Sequence, residues 1–475
     1  MLPFESFSYP FFDLSTAADH RGVVSSYLSA TDTPIPSDHT SGHRALYVHI
    51  PFCDSICSFC PFTKSVGTPE RITAYLAALH TELRVLGGTP RIRDWKIDSI
   101  YMGGGTPSVL SVEQIAALMA EIRANFEITD DAEISFEFEA KSVDHDKFAA
   151  LRELGVTRVS FGVQSFDPKI REMVNLTASL DQVYDAIRWA GTYFTNTNLD
   201  MMAGFPGQDR DHAYLDARTA ADSGIASVSI YPVDYVMTMP GWQERIRSGQ
   251  LPAPAALDER SRMFHVARAA LGESMGVQNM YCYGPANAPA TRYMFSTLYG
   301  GYRDEAVGVG SGAYSFIKGL AWMNEADERR YVKTAGTGVL PVTMSSPGHA
   351  YEKGLVFFPK RLTFDMRDLP ILGLENVYRE RIESIMTAGH AEIDGDTLRL
   401  TTSGESVYSE LMAHFFSDMQ ARVYQRLVRR LSTEVGVIDE REWQAGAARV
   451  AAMGAATALP GASSRRRLPL VGSRR

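Results

Sequence analysis

Tyr47-Val48-His49-Ile50-Pro51-Phe52-Cys53-Asp54-Ser55-Ile56-Cys57-Ser58-Phe59-Cys60 joins an apolar, β-branched run to three thiols spaced four and three residues apart. Ala45 to Ile50 has strand composition and stops at a proline, so the cysteines fall on the loop leaving a strand. Such spacing lets one loop wrap one iron–sulfur cubane, each thiolate reaching a different corner. Cubanes are usually held by four cysteines. Three leave one iron without a protein ligand, and an open position on a metal is where a substrate or cofactor binds. The competing readings are a zinc site or three incidental cysteines, with Cys282, the fourth cysteine of the chain, as a candidate further ligand. The context favours the cubane: the triad opens an alternating array of strands and helices, and a glycine turn, Gly103-Gly104-Gly105, ends the second strand.

Working outward, β-branched or aromatic runs at Ala45 to Ile50, Ile97 to Met102, Glu133 to Glu139, Arg158 to Val163, Thr197 to Met202 and Ala226 to Val233 read as strands. Amphipathic stretches between them, Pro69 to Leu86, Val112 to Phe126, Asp144 to Leu154, Leu180 to Tyr193 and His212 to Ser223, read as helices, and Ser111 and Gln114 have the spacing of a capping box. Alternating βα units predict an α/β fold, a partial (βα)6 TIM-like barrel of parallel strands. Periodicity does not distinguish a closed barrel from an open one. In both, the functional ends are the carboxyl ends of the strands.

Around this core, covering residues 44–320 with a helix at Asp258 to Met275 and a glycine-rich segment at Ala306 to Phe316, three further regions are expected. Residues 1–43, polar and without sustained period, read as an irregular arm. Residues 321–444 read as a small mixed or winged-helix-like domain, with a hairpin from Ala391 to Leu400 turning at Asp394-Gly395-Asp396 and a long helix from Glu405. Residues 445–475, rich in Ala, Gly and Ser and ending in Arg474-Arg475, read as a disordered basic tail.

Composition removes whole classes of function. With 475 residues, 45% hydrophobic and 22% charged, the chain can bury a large core, and its net charge of −9 is not the basic footprint of a nucleic-acid binder. No apolar run approaches a membrane span, and the amino terminus lacks the pattern of a secretion signal. A cytoplasmic monomer with no nucleic-acid or membrane partner is expected. Three clustered cysteines suit a reducing compartment.

The CxxxCxFC pattern after Tyr-Val-His-Ile-Pro-Phe resembles the radical S-adenosylmethionine (SAM) superfamily, and within it the oxygen-independent coproporphyrinogen III dehydrogenase-like branch, over about residues 45–320. The resemblance implies a 4Fe-4S cluster on Cys53, Cys57 and Cys60 whose open iron chelates SAM, with reductive cleavage to a 5′-deoxyadenosyl radical. It also implies SAM contacts from Tyr47, Gly104, Gly105, Thr106, Glu137 and Tyr314. Because members of the branch can bind two SAM molecules, Phe59, Gly105, Gln164 and Asp200 fall at positions around the second. A reductant such as flavodoxin or ferredoxin and a small-molecule substrate are the implied partners. Aromatic residues at Tyr231 to Tyr235, Tyr281 to Gly284 and Tyr314 suggest a flat or conjugated substrate, although a role in the core accounts for them equally well.

Taken alone, the glycine turn is more often a simple strand exit, and Glu137 equally part of a solvated strand face; the resemblance favours ligand contact, the glycines approaching it closely with N–H groups aimed at it. One departure stands out. Where the branch usually carries an arginine that helps bind SAM, this chain has Leu176, which cannot pair with a carboxylate; Arg171 is a nearby substitute. Porphyrinogen decarboxylation in the branch goes with a further cysteine two residues after the third ligand, where this chain has Phe62. Heme-chaperone relatives carry His-Asn…Tyr-Trp before the last glycine-rich strand, and this chain has Thr291-Arg292-Tyr293-Met294. The local motifs thus resemble class C radical SAM methyltransferases most, and C-methylation or methylene transfer (cyclopropanation) onto an sp² carbon is the expectation drawn from them. Coproporphyrinogen dehydrogenation is the first alternative, and a non-catalytic heme-binding or trafficking protein the second.

Overall fold

In the computed structural model the described residues are 19–30, 42–60, 62–233, 235, 240–286, 291–294, 300–301, 303–317, 320–347, 353–371, 375–417 and 421. Six strands run parallel and neighbour one another in chain order: β1 (Arg44–Ile50), β2 (Lys96–Gly104), β3 (Glu127–Phe138), β4 (Arg158–Gln164), β5 (Asn196–Ala203) and β6 (Ser227–Pro232). The expected six strands are all present: β1, β4 and β5 run a residue or two longer than expected and β2 three, β6 is two shorter, and β3 begins well before its predicted start. A seventh, β7 (Glu305–Val309), formed by the glycine-rich segment, pairs parallel with the other side of β1. Beyond it the same sheet continues antiparallel through Tyr314–Ile317, Leu320–Asn324 and Val342–Pro347. The fold is α/β, with a large, mostly parallel sheet.

The helices α1 (Pro69–Gly87), α2 (Val112–Asn125), α3 (His145–Glu153), α4 (Leu180–Tyr193) and α5 (Arg210–Asp222) connect successive parallel strands. Their starts are fixed locally. The Ser111–Gln114 capping box forms as expected, and Ser179 with Gln182 makes a second at the start of α4. Apart from the exposed first half of β3, the parallel strands are mostly buried, β7 completely, as strands covered by helices must be.

Two expectations outside the core change. Within residues 1–43, His20–Ser29 is a helix rather than irregular chain: Asp19 caps it by accepting from the Gly22 N–H, and Val24 and Leu28 are buried. Its His20 Nδ1 accepts from the Ser345 N–H at 3.0 Å, tying it to the antiparallel edge. The hairpin of Ala391–Asp394 and Thr397–Leu400 is present, with Thr363–Asp365 as its third strand. The long helix from Glu405 is instead two short ones, Thr402–Glu405 and Tyr408–His414, because Thr401 caps a first turn that ends at Ser406 before Val407 starts the next. Residues 445–475, expected as a tail, lie outside the described residues.

Candidate active site

The functional candidates collect where strand geometry places them, at the carboxyl ends of β1 to β5. The register sets His49 of β1 beside Gly103 of β2, and Ile50 beside Gly104, so the cysteine loop and the glycine turn leave the sheet side by side. The three glycines serve this close approach. Gly104 has φ +117°, and a Cβ there would lie 2.6 Å from the His49 ring; one on Gly105 would lie 2.7 Å from the Phe52 carbonyl oxygen. One on Gly103 would strike the Glu137 carboxylate at 2.7 Å.

The N–H groups of Gly104, Gly105 and Thr106 are spent on the protein. Gly105 N–H donates to the Ile50 carbonyl and Thr106 N–H to the Phe52 carbonyl, each at 2.8 Å, and Gly104 N–H to Glu137 at 3.2 Å. The expectation that these donors face a ligand is therefore corrected: they clamp the cysteine loop and orient Glu137. Thr106 likewise turns its hydroxyl toward Cys53, with Oγ1 3.5 Å from Sγ.

The loop is fastened along its length. Ser58 Oγ donates to the Val174 carbonyl at 3.0 Å, and Cys60 N–H to the Cys57 carbonyl at 3.3 Å. Phe59, 7% exposed, meets Phe205 edge-on at 5.5 Å between ring centres, in an apolar cluster with Val174 and Tyr235. The three thiols sit partly exposed and unbridged on this frame. Burial pushes the Cys57 thiol up to about 12 and raises Cys53 and Cys60 as well, and Cys60 adds to the rise at Cys53 and Cys57. Cluster ligation takes thiolates, so assembly releases protons.

Among the described residues no three His, Cys, Asp or Glu side chains already converge on a point that would hold one metal ion. A cubane asks for something else, thiolates spread over different corners, and a tightly anchored loop with three sulfurs and no fourth fits it. Cys282 does not join them: it is buried on a strand antiparallel to β6, its Sγ 3.2 Å from Ser229 Oγ.

Glu137 accepts from the Tyr101 hydroxyl at 2.5 Å, and burial pushes its carboxyl up to about 7. Tyr101 in turn stacks on Tyr293 at 4.3 Å, and Tyr47 stacks on Tyr293 at 5.5 Å and bonds His49 Nδ1 through its hydroxyl at 2.9 Å. Gln164 ends β4 just past a bulge, with φ +68°. A non-glycine residue in that region marks strain held by its surroundings, often at functional sites. Asp200 accepts from Ser160 and Asn198, each at 3.0 Å, and burial raises its carboxyl. Tyr314 stands apart from this group in the sheet order, opening the antiparallel strand beyond β7 with 45% exposure.

Leu176 packs against the Phe59 cluster, an apolar role that explains leucine there. Arg171 is no substitute for an arginine in the pocket, because its guanidinium donates to the carbonyls of Val163 and Ser165, each at 2.9 Å, and of Ala178 at 2.5 Å. Sequence reasoning missed His49, Tyr101, Lys64 and Lys141. His49 lay in the quoted run, where a histidine amid apolar residues was the signal; its Nε2 bonds the Thr63 carbonyl at 3.0 Å, and burial lowers it to about 4. Tyr101 lay two residues before Gly103, on the same face of its strand. Of the suggested substrate-facing aromatics, Tyr235, Tyr281 and Tyr283 are buried.

Three clustered thiols on the loop after the first parallel strand, with polar side chains at the following strand ends, define an α/β protein whose strand ends are suited to carry an iron–sulfur centre. Residues 47–218 match the radical SAM superfamily and are a radical SAM domain, whose cofactors are a 4Fe-4S cluster and SAM. The chain is 29% identical to the heme chaperone HemW of Mycobacterium tuberculosis over 375 residues, covering 76% of this chain and 91% of the relative. It is 32% identical to the oxygen-independent coproporphyrinogen III oxidase of Escherichia coli over 212 residues, 44% of this chain and 46% of that one. The solved coproporphyrinogen III oxidase (HemN) of Escherichia coli shares the fold, with a TM-score of 0.69 at 21% identity over 82% of this chain and 93% of that one. Among the described residues no helix is long and apolar enough to cross a membrane.

Proposed function

We propose that this chain is a radical SAM protein acting on a tetrapyrrole. The observation that carries the reading is the Cys53–Cys57–Cys60 loop, clamped by the glycine turn at the carboxyl ends of the parallel strands beside Glu137. The tetrapyrrole enters from the relatives, one named for heme and one for coproporphyrinogen. When bound, the cluster and SAM supply a 5′-deoxyadenosyl radical that takes a hydrogen atom from the substrate.

The residues of the chain do the positioning. Cys53, Cys57 and Cys60 hold three irons, Phe59 and Ser58 keep the loop rigid, and Glu137, held by Tyr101 and Gly104, accepts from ribose hydroxyls or the SAM ammonium. Gln164 and Asp200 offer polar groups further round the strand ends. A one-electron reductant of the flavodoxin or ferredoxin kind loads the cluster.

The heme chaperone's match along 91% of its length favours a second reading, heme binding and transfer without turnover. Carbon transfer from a second SAM, the expectation from local motifs, has less behind it: these relatives are heme chaperones and coproporphyrinogen oxidases, and Leu176 keeps its surroundings apolar. Anaerobic reconstitution with iron, sulfide, SAM and dithionite, followed by mass spectrometry with coproporphyrinogen III or heme, separates the three. We expect 5′-deoxyadenosine together with an altered tetrapyrrole. Heme bound and handed on with no SAM cleavage would establish carriage, and label from the SAM methyl group in the product would establish carbon transfer.

A further inference from the structure

The cysteine loop is bracketed by charged side chains that ligation itself does not require. On one side Lys64 donates from Nζ to the carbonyls of Cys60 at 2.5 Å and Phe62 at 3.1 Å. Its positive charge favours the thiolates of both Cys53 and Cys60. On the other side Glu139, just past the end of β3, lies 3.3 Å from Lys141 Nζ. Lys141 also reaches Ser55 Oγ, inside the cysteine loop, at 3.2 Å and Thr177 Oγ1 at 2.7 Å. The Glu139 charge disfavours the thiolates of Cys53 and Cys57, and the Lys141 charge favours that of Cys57. Four of the loop's surroundings are thus fixed by geometry: two cations, one anion, and the hydroxyl that ties one cation to the loop.

We infer that Lys64 and the Glu139–Lys141 pair set the reduction potential of the cluster held by Cys53, Cys57 and Cys60, the two lysines raising it and Glu139 lowering it. The inference rests on the cluster reading above. Reduction adds one electron, taken from an external one-electron reductant, to a centre already made anionic by three thiolates. A fixed cation nearby stabilises the reduced form more than the oxidised form, and a fixed anion does the reverse, with an effect that grows as water is excluded. These are positioning and tuning residues, since none of them touches the reacting atoms.

The test is an anaerobic redox titration of the reconstituted full chain, without SAM or substrate, followed by electron paramagnetic resonance and with iron counted per chain. Lys64→Met is expected to shift the midpoint to a more negative potential and Glu139→Gln to a less negative one, while Lys64→Arg stays near the unsubstituted protein. Ser55→Ala, which cuts a bond to Lys141 but leaves its charge, is also expected to stay near it. Glu139→Gln leaves the bonds to the Cys60 and Phe62 carbonyls in place, so the opposite-sign arm does not depend on the Lys64 variant holding its loop. Unchanged potentials in both charge variants, shifts of the same sign, or a Ser55→Ala shift as large as theirs would overturn the inference. An unsubstituted chain that assembles no cluster would overturn the cluster reading instead, so the two failures are distinguishable.

Discussion

Gly104→Ala is the sharpest test of how the glycine turn works, because it adds one methyl group and no charge. Gly104 sits at φ +117°, where an L side chain is strained by about 1–3 kcal/mol. The added Cβ would also lie 2.6 Å from Cε1 and Nδ1 of His49, a ring wedged by its bonds to the Tyr47 hydroxyl and the Thr63 carbonyl. Moving the ring gives up one or both bonds, at about 0.5–1.5 kcal/mol each. Together the variant should lose about 1.5–6 kcal/mol, against a total stability of about 5–15 kcal/mol. Because His49 Nε2 holds the segment just after Cys60, the loss should appear at the cluster too. The assay pairs the urea midpoint of the unreconstituted protein with iron and sulfide per chain after reconstitution. A lowered midpoint with reduced iron retention is expected. A variant with the original midpoint and full iron would refute the argument that this glycine is there to pass His49.

Other consequences can be checked in the same protein. Glu82 on α1, 2% exposed, accepts from Gly310 N–H, Asn324 Nδ2 and the Tyr331 hydroxyl, and burial pushes its carboxyl from 4.5 up to about 7. The folded state therefore holds this proton more tightly than the unfolded one, so its contribution is fully present below pH 4.5 and is lost as the pH rises through 7, amounting to about 3 kcal/mol. Comparing urea midpoints of Glu82→Gln and the unsubstituted protein between pH 5 and pH 8 should show a flatter pH dependence in the variant; parallel curves would contradict it. Phe59→Ala, emptying the pocket against Phe205, should cost about 3–5 kcal/mol and weaken iron retention, as denaturation and iron analysis would show. Retention of iron equal to the unsubstituted protein would mean the loop does not depend on this anchor.

Much of the core was legible because its signals are local. Strands buried on both faces give continuous apolar runs, and capping residues such as Ser111 with Gln114 mark helix starts. The cysteine triad was equally plain, since one loop contains all of it. Contacts between distant segments were the illegible part. That the N–H groups of Gly105, Thr106 and Gly104 go to Ile50, Phe52 and Glu137 depends on how β1, β2 and β3 lie in register, which no single segment encodes. Arg171 read as a free cation because its three carbonyl partners flank it only once the chain after β4 has turned back. The Asp19 cap and two buried residues were too short a pattern to reveal the helix at His20–Ser29. Strain at Gln164 has no sequence signature at all.

The most direct test of the account is whether these three thiols are what make the chain cleave SAM. After anaerobic reconstitution, the unsubstituted protein should show iron–sulfur absorbance and release 5′-deoxyadenosine and methionine from SAM on addition of dithionite. Cys57→Ala should lose the absorbance and the cleavage together, whereas Cys282→Ala should keep both. A Cys57→Ala protein that retained its absorbance and still cleaved SAM would contradict the assignment of the cluster to Cys53, Cys57 and Cys60.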